Sequence, residues 1–84
     1  MIHFTLYSRS YCHLCDDMLQ SLQRYGAKYQ FNVDVIDVDS DELLLARYDE
    51  LVPVLVGRKG AGDASEICHY FLDETKVMAF LDAR

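Results

Sequence analysis

The sequence is short of basic residues and contains no long hydrophobic run. It has 8 Lys and Arg against 14 Asp and Glu in 84 residues, which gives a formal net charge of −6. Nucleic acids and anionic membranes both require a basic surface, so we expect neither as a partner. No apolar stretch approaches the roughly 18 residues that a transmembrane helix needs, so we expect no membrane span.

The sequence also shows no signal-peptide features and contains few cysteines. The first residues, MIHFTLYSRS, have neither a long apolar core nor a small-residue cleavage site, so we expect no signal peptide and a cytoplasmic location. The three cysteines, Cys12, Cys15 and Cys68, are an odd number that cannot form a fully bridged scaffold. In the cytoplasm, paired cysteines are more often catalytic or metal-binding than structural.

The residues that are present suffice for one folded domain over residues 1–84. The hydrophobic fraction of 51% can supply a core, and the charged fraction of 26% is ordinary for a globular protein. The hydrophobic pattern changes period several times and predicts the order β-α-β-α-β-β-α. The predicted strands are IHFTLY, YQFNVDVIDVD, VPVLVG and EICHYFL.

This order predicts an α/β fold with a four-stranded mixed sheet flanked by three helices. The first βαβ step predicts parallel strands with a right-handed crossover, and the last two strands predict an antiparallel hairpin. Helices are expected on both faces of the sheet. The second helix is expected to start at Asp39 in a capping box with Glu42, or at Ser40, and Asp73 is expected to cap the third.

The CHLC motif falls at the junction of the first strand and the first helix. A helix N-terminus exposes unpaired N–H groups and the positive end of the helix dipole, and both favour a thiolate. We therefore expect Cys12 to have a depressed thiol pKa and to act as a nucleophile, with Cys15 as the resolving thiol. His13 can stabilise the thiolate, whereas Asp16 and Asp17 disfavour a second anion.

Other roles for the cysteine pair stay open at this point. The CHLC motif can supply half of a zinc site. The other half would have to be Cys68 and His69, but neighbouring residues on a strand point to opposite faces. The pair can also be two core residues, or belong to a non-catalytic binding module whose acidic surface docks a partner. Cys68 itself is expected in the core, with a regulatory or intermolecular thiol as the alternative.

The motifs resemble those of glutaredoxins, within the thioredoxin fold. The stretch YSRSYCHLC resembles the active-site opening of that family, and LVPVLVG resembles its Val-Pro turn into the third strand. The similarity covers residues 2–83 and is greatest to the small bacterial glutaredoxin-like branch. It implies a thioredoxin/glutaredoxin-like fold and a thiol–disulfide oxidoreductase that acts on protein or low-molecular-weight disulfides.

The resemblance also implies partners and site residues. No bound cofactor or metal is implied, glutathione or a protein dithiol would donate electrons, and we expect a monomer. The substrate would be a disulfide-containing protein or a small thiol compound. The Val52–Pro53 bond would be cis, with the backbone of Val52 binding substrate. Tyr7 and Arg9 would flank the site, Arg9 would face a glutathione carboxylate, and Tyr11 would form an aromatic wall.

The chain departs from the glutaredoxin pattern at three places. The family commonly has Pro-Tyr between the cysteines, where this chain has His13 and Leu14, and it usually has Thr where this chain has Leu51. The Gly-Gly step that holds the γ-glutamyl end of glutathione is replaced within HYFLDET, although Asp73 remains as the acid at the helix start. Bulky side chains at this step do not favour the close backbone approach that glycines give to glutathione.

Overall fold

A computed structural model of the chain describes residues 1–10 and 12–82, and it confirms the predicted order of elements. None of the helices in this part of the chain is long and apolar enough to cross a membrane. The strands are β1 (Ile2–Ser8), β2 (Phe31–Asp37), β3 (Val54–Lys59) and β4 (Ser65–His69). The α-helices are α1 (His13–Arg24), α2 (Glu42–Tyr48) and α3 (Glu74–Asp82).

The strands form one four-stranded mixed sheet in the order β2-β1-β3-β4. β1 and β2 are parallel and α1 connects them, as the βαβ pattern predicts. The β1–β3 and β3–β4 pairs are antiparallel. Because Tyr7 of β1 pairs with Val54 of β3, the chain leaves β1 towards α1 beside the place where it enters β3.

Helices cover both faces of the sheet, which confirms the predicted layers. On one face, α1 and α3 contribute Met18, Leu22, Val77 and Leu81 to a core cluster with sheet residues. On the other face, Tyr48 of α2 packs with Val38 and Val54. The neighbouring β3 residues Val54 and Leu55 belong to opposite clusters, as the alternation of side chains along a strand requires.

The second helix begins later than the sequence predicts. Asp41, not Asp39 or Ser40, is its N-cap, and Asp41 Oδ1 accepts the backbone N–H of Leu43 at 2.8 Å. Asp39 instead lies in a short 3-10 turn, where its own N–H donates to Asp37 Oδ1 at 2.9 Å. The predicted capping box was therefore wrong, because this turn separates β2 from α2.

Candidate functional site

The cysteine pair lies at the start of α1, as predicted. Cys12 is the N-cap residue in an extended conformation, and its Sγ accepts the backbone N–H of Cys15 at 3.2 Å. The two cysteines are joined in a disulfide, and their Cα atoms lie 5.2 Å apart. This separation lies in the usual range for bonded cysteines. The helix N-terminus thus directs one backbone donor at the sulfur of Cys12.

The two cysteines differ in exposure. Cys15 is only 3% exposed and faces the core, whereas Cys12 is half-buried. His13 and Leu14, which lie between them, are both exposed. The pair is therefore not simply two core residues, because Cys12 is only partly buried. A substrate sulfur can therefore reach Cys12 more easily than Cys15.

A cis-proline lies at the same end of the sheet. The Val52–Pro53 peptide bond is cis, as the glutaredoxin resemblance implied. Pro53 is fully buried and directly precedes β3. Since Tyr7 pairs with Val54, the next residues along the two strands, Ser8 and Pro53, lie where β1 runs towards α1. The topology therefore brings the cis-proline segment and the cysteine pair to one end of the sheet.

Tyr7 is held by packing on the α2 side of the sheet. Its ring stacks on that of Tyr48, with centroids 4.5 Å apart and planes inclined by 23°. Burial, followed by the neighbouring Tyr48, raises the pKa of the Tyr7 phenol, while Arg47 opposes the shift. The phenol is therefore neutral at physiological pH. Tyr7 packs against the same core cluster as Val52, and a direct role of either residue towards substrate remains a prediction.

Arg9 is bound by two carboxylates of its own chain. Its Nη1 lies 2.6 Å from Asp49 Oδ1, and its Nη2 lies 3.1 Å from Asp39 Oδ1. The hydrogen bond to Asp39, with the charge of that carboxylate, raises the pKa of Arg9 further. Arg9 thus links the segment between β1 and α1 to both ends of the α2 region. Sequence reasoning missed these partners, and the predicted contact with a glutathione carboxylate remains a prediction.

Asp73 caps the third helix, as predicted. Its Oδ1 accepts the backbone N–H of Lys76 at 3.1 Å, and its carbonyl oxygen accepts that of Val77 at 2.9 Å. The side chain also lines the groove described below. Tyr11, the expected aromatic wall, lies outside the described residues. The substrate-binding roles of both residues remain predictions.

The third cysteine, Cys68, lies in the core of β4, as expected. It is 6% exposed and packs in the cluster with α1 and α3. Burial raises the pKa of its thiol, although a hydrogen bond from the Asp73 backbone acts in the opposite direction. The neighbouring His69 is exposed, so the two side chains do point to opposite faces. Within residues 1–10 and 12–82, no group of three or more His, Cys, Asp or Glu residues is arranged to hold a metal ion.

An open groove of about 870 Å³ runs from the CHLC motif along α1 to the segment between β4 and α3. Leu14 and Met18 of α1 line one side, and Tyr70, Phe71 and Leu72 line the other. Sequence reasoning did not predict this groove. The signal in the sequence that could have indicated it is the run of large apolar residues Tyr70, Phe71 and Leu72 within HYFLDET.

The sheet order, the cis-proline and the cysteine pair at a helix start together define a thioredoxin-fold protein. Residues 3–82 match the family described as Glutaredoxin-like domain (DUF836), and the chain belongs to that family. No curated protein matches the chain. A close cysteine pair with this spacing, in this fold, is consistent with a redox function.

Solved structures agree with this assignment. The chain is 37% identical to the protein Ne2328 from Nitrosomonas europaea, with a TM-score of 0.85 over 96% of this chain and 92% of that one. It is 32% identical to the protein XcR50 from X. campestris, with a TM-score of 0.65 over 96% and 97% of the two chains. A thioredoxin from Halobacterium salinarum is 19% identical, with a TM-score of 0.73 over 98% and 73%, and supports the fold alone.

Proposed function

We propose that the protein is a thiol–disulfide oxidoreductase in which Cys12 attacks and Cys15 resolves. The observation that carries the proposal is the hydrogen bond of 3.2 Å from the Cys15 backbone N–H to Cys12 Sγ at the start of α1. In the reduced protein, this donor and the helix dipole stabilise a thiolate at Cys12. The greater exposure of Cys12 supports the same assignment, because the attacking sulfur must reach its substrate.

The reaction proceeds by two exchanges of sulfur bonds. The Cys12 thiolate attacks one sulfur of a substrate disulfide, an S–S bond to Cys12 forms, and the substrate S–S bond breaks. The departing thiolate takes a proton from solvent. The Cys15 thiol then loses its proton to solvent and attacks Cys12 Sγ, which releases the second substrate thiolate. Two electrons pass from the dithiol to the substrate, and the Cys12–Cys15 disulfide remains.

The neighbours of Cys15 suit the resolving role. Its side chain is buried, and Asp16 lies beside it in the first turn of α1. Burial and a nearby carboxylate both disfavour a second thiolate. Cys15 therefore stays protonated while Cys12 reacts with substrate. His13, exposed on the same turn, directly follows Cys12 and is the side chain of the motif that can stabilise its thiolate.

The proposal extends to partners and location. Substrates are disulfides of proteins or small thiols, and glutathione or a protein dithiol returns the electrons, so the chemistry needs no bound metal or flavin. The protein acts as a monomer in the cytoplasm, where such reductants are present. The Val52 backbone and the Tyr7, Arg9 and Tyr11 side chains contribute to the substrate surface. Asp73, the acid at the start of α3, contributes to the same substrate surface on the side of the groove opposite α1.

A redox titration against glutathione tests the proposal. The protein is equilibrated in glutathione buffers of graded potential, quenched, alkylated under denaturing conditions and weighed by mass spectrometry, with zinc measured on the same sample. We expect one transition in which Cys12 and Cys15 gain two alkyl groups together, with a slope of about 30 mV per tenfold change. Cys68 adds one constant alkyl group.

A Cys68→Ala variant is the matched control for the titration, and it should show the same midpoint. The absence of any transition between roughly −120 and −300 mV would contradict the proposal. One zinc ion per chain bound to the reduced thiols would contradict it as well. Either result would favour the non-catalytic binding module or the metal site over the oxidoreductase.

A further inference from the structure

We infer that the groove binds an extended, basic segment of a substrate protein that carries an apolar side chain near its reactive cysteine. The inference rests on the proposed redox function and names the substrate class of that site. It depends on three properties of the groove: its contact with the CHLC motif at Leu14, its firmly held apolar wall, and the sign of its charge.

The groove reaches the CHLC motif through a single residue, and neither cysteine of the pair is among the residues that line it. Leu14, which lies between the two cysteines, lines it, and Met18 continues the same wall one turn along α1. The groove then continues past the end of β4 to the start of α3. A chain that lies in this groove therefore runs past Leu14, two residues from Cys12, and its disulfide is attacked where it leaves the groove at the CHLC motif.

The wall opposite α1 presents apolar side chains to solvent. Phe71 is 68% exposed, Tyr70 is 40% exposed, and Leu14 across the groove is 39% exposed. Large apolar side chains that are exposed together around a concave surface are typical of interaction sites. Because Phe71 is mostly exposed, the core of the domain does not require an aromatic ring at this position.

The backbone that carries Phe71 is firmly held. Tyr70 adopts a positive φ of 64°, its N–H donates to the Pro53 carbonyl at 2.9 Å, and its hydroxyl donates to the Glu50 carbonyl at 2.6 Å. The Phe71 N–H donates to the His69 carbonyl at 2.7 Å. A wall fixed in this way loses little conformational freedom when a partner binds, which favours binding. It is also tied directly to the cis-proline segment of the site.

The rim of the groove is acidic. Three acidic residues line it on the α1 and α3 sides, Asp17, Asp73 and Glu74, and Lys76 is the only lysine or arginine among the described residues that line it. A basic segment is therefore attracted and oriented, whereas an acidic one is repelled. Glutathione, which carries two carboxylates and one ammonium group, does not match this charge. The groove therefore favours a basic protein segment.

The experiment uses the reduced Cys15→Ser variant and matched peptides that each contain one cysteine in a mixed disulfide with 2-mercaptoethanol. The peptides are basic or acidic, with leucine or serine beside the cysteine. Mass spectrometry follows the rate at which Cys12 consumes each disulfide. Each rate is then divided by the rate at which a small neutral thiol consumes the disulfide of the same peptide. We expect the basic peptide with leucine to react roughly tenfold or more faster than its acidic counterpart at low salt, and this ratio to shrink as salt is added.

Two pairs of variants locate the effect. Glu74→Lys, in the first turn of α3 at the groove, should lower the ratio of basic to acidic rates by about threefold or more, while Asp63→Lys, in the β3–β4 loop outside the groove, should leave it unchanged. Phe71→Ser should slow the basic peptide with leucine roughly tenfold and leave its serine counterpart unaffected. Leu43→Ser is the control, because Leu43 is 82% exposed on α2 and does not line the groove.

The inference is overturned by equal normalised rates for basic and acidic peptides, or by Asp63→Lys acting as strongly as Glu74→Lys. It is also overturned by glutathione disulfide reacting faster than the basic peptide with leucine. The disulfide of 2-mercaptoethanol, which is small and uncharged, separates the two proposals. If it reacts at Cys12 while the peptides show no preference, only the groove assignment falls; if it does not react, both proposals fall.

Discussion

Replacing Cys12 with serine is expected to reduce disulfide reduction to the background rate, a loss on the order of 10³-fold or more. A serine hydroxyl does not form an anion at neutral pH, so the hydrogen bond from the Cys15 backbone then has no thiolate to stabilise. The measurement is the reduction rate of a peptide disulfide in a glutathione-free assay with a dithiol as electron donor. Full activity in the Cys12→Ser variant would contradict the mechanism.

The Cys15→Ser variant is expected to fail at the second step instead. The Cys12 thiolate still attacks, but no second sulfur is present to release the substrate, so a mixed disulfide accumulates. Mass spectrometry without reductant should show one substrate bound to each protein chain. The Cys68→Ala variant is the matched control: it lacks a cysteine buried in the core, and it should turn over at close to the wild-type rate. Adduct formation on Cys68 would contradict the assignment of Cys12.

The second large effect is on stability: Phe4→Ala is expected to lower the free energy of unfolding by about 3–5 kcal/mol. Phe4 is fully buried in β1, which pairs with both β2 and β3. Its ring contacts the ring of Phe31 edge-on, with the ring centroids 5.1 Å apart, and the ring of Phe80 at a tilt, with the centroids 5.5 Å apart. For a domain of this size the whole stability is roughly 4–13 kcal/mol, so the variant should lose a large share of it.

Urea unfolding of the oxidised protein measures this loss. Phe71→Ala is the matched control, because it removes the same ring from a position that is 68% exposed. The control should change the free energy of unfolding by less than about 0.5 kcal/mol. Equal losses in Phe4→Ala and Phe71→Ala would show that the assignment of the core in β1 is wrong.

The fold was predictable because its signals are local. The alternation of β1 ends before Cys12, and the helical spacing of apolar residues starts at Cys15, so the sequence alone predicted a cysteine pair at a helix start. The structure confirms that position. The cis bond before Pro53 was different: the base rate of about 5% for such bonds gives no basis for expecting it, and only the resemblance to glutaredoxins indicated it.

The site could be predicted only in part, because its remaining features depend on contacts between distant segments. Arg9 pairs with Asp39 and Asp49, which lie 30 and 40 residues away in sequence, and no local pattern shows that pairing. β4 was expected to run through Leu72, but it ends at His69, where the backbone turns. The positive φ of the next residue is rare for a bulky side chain, so the groove wall was not foreseen.

The most direct test of the central claim is the rate at which the protein turns over the disulfide of 2-mercaptoethanol with a dithiol as electron donor. Because this substrate is small and uncharged, its reduction does not depend on the acidic groove. We expect many turnovers per protein chain, one dithiol oxidised per disulfide, and a rate well above that of the dithiol alone. A folded protein that leaves the rate at that of the free dithiol would show that Cys12 and Cys15 do not catalyse disulfide reduction.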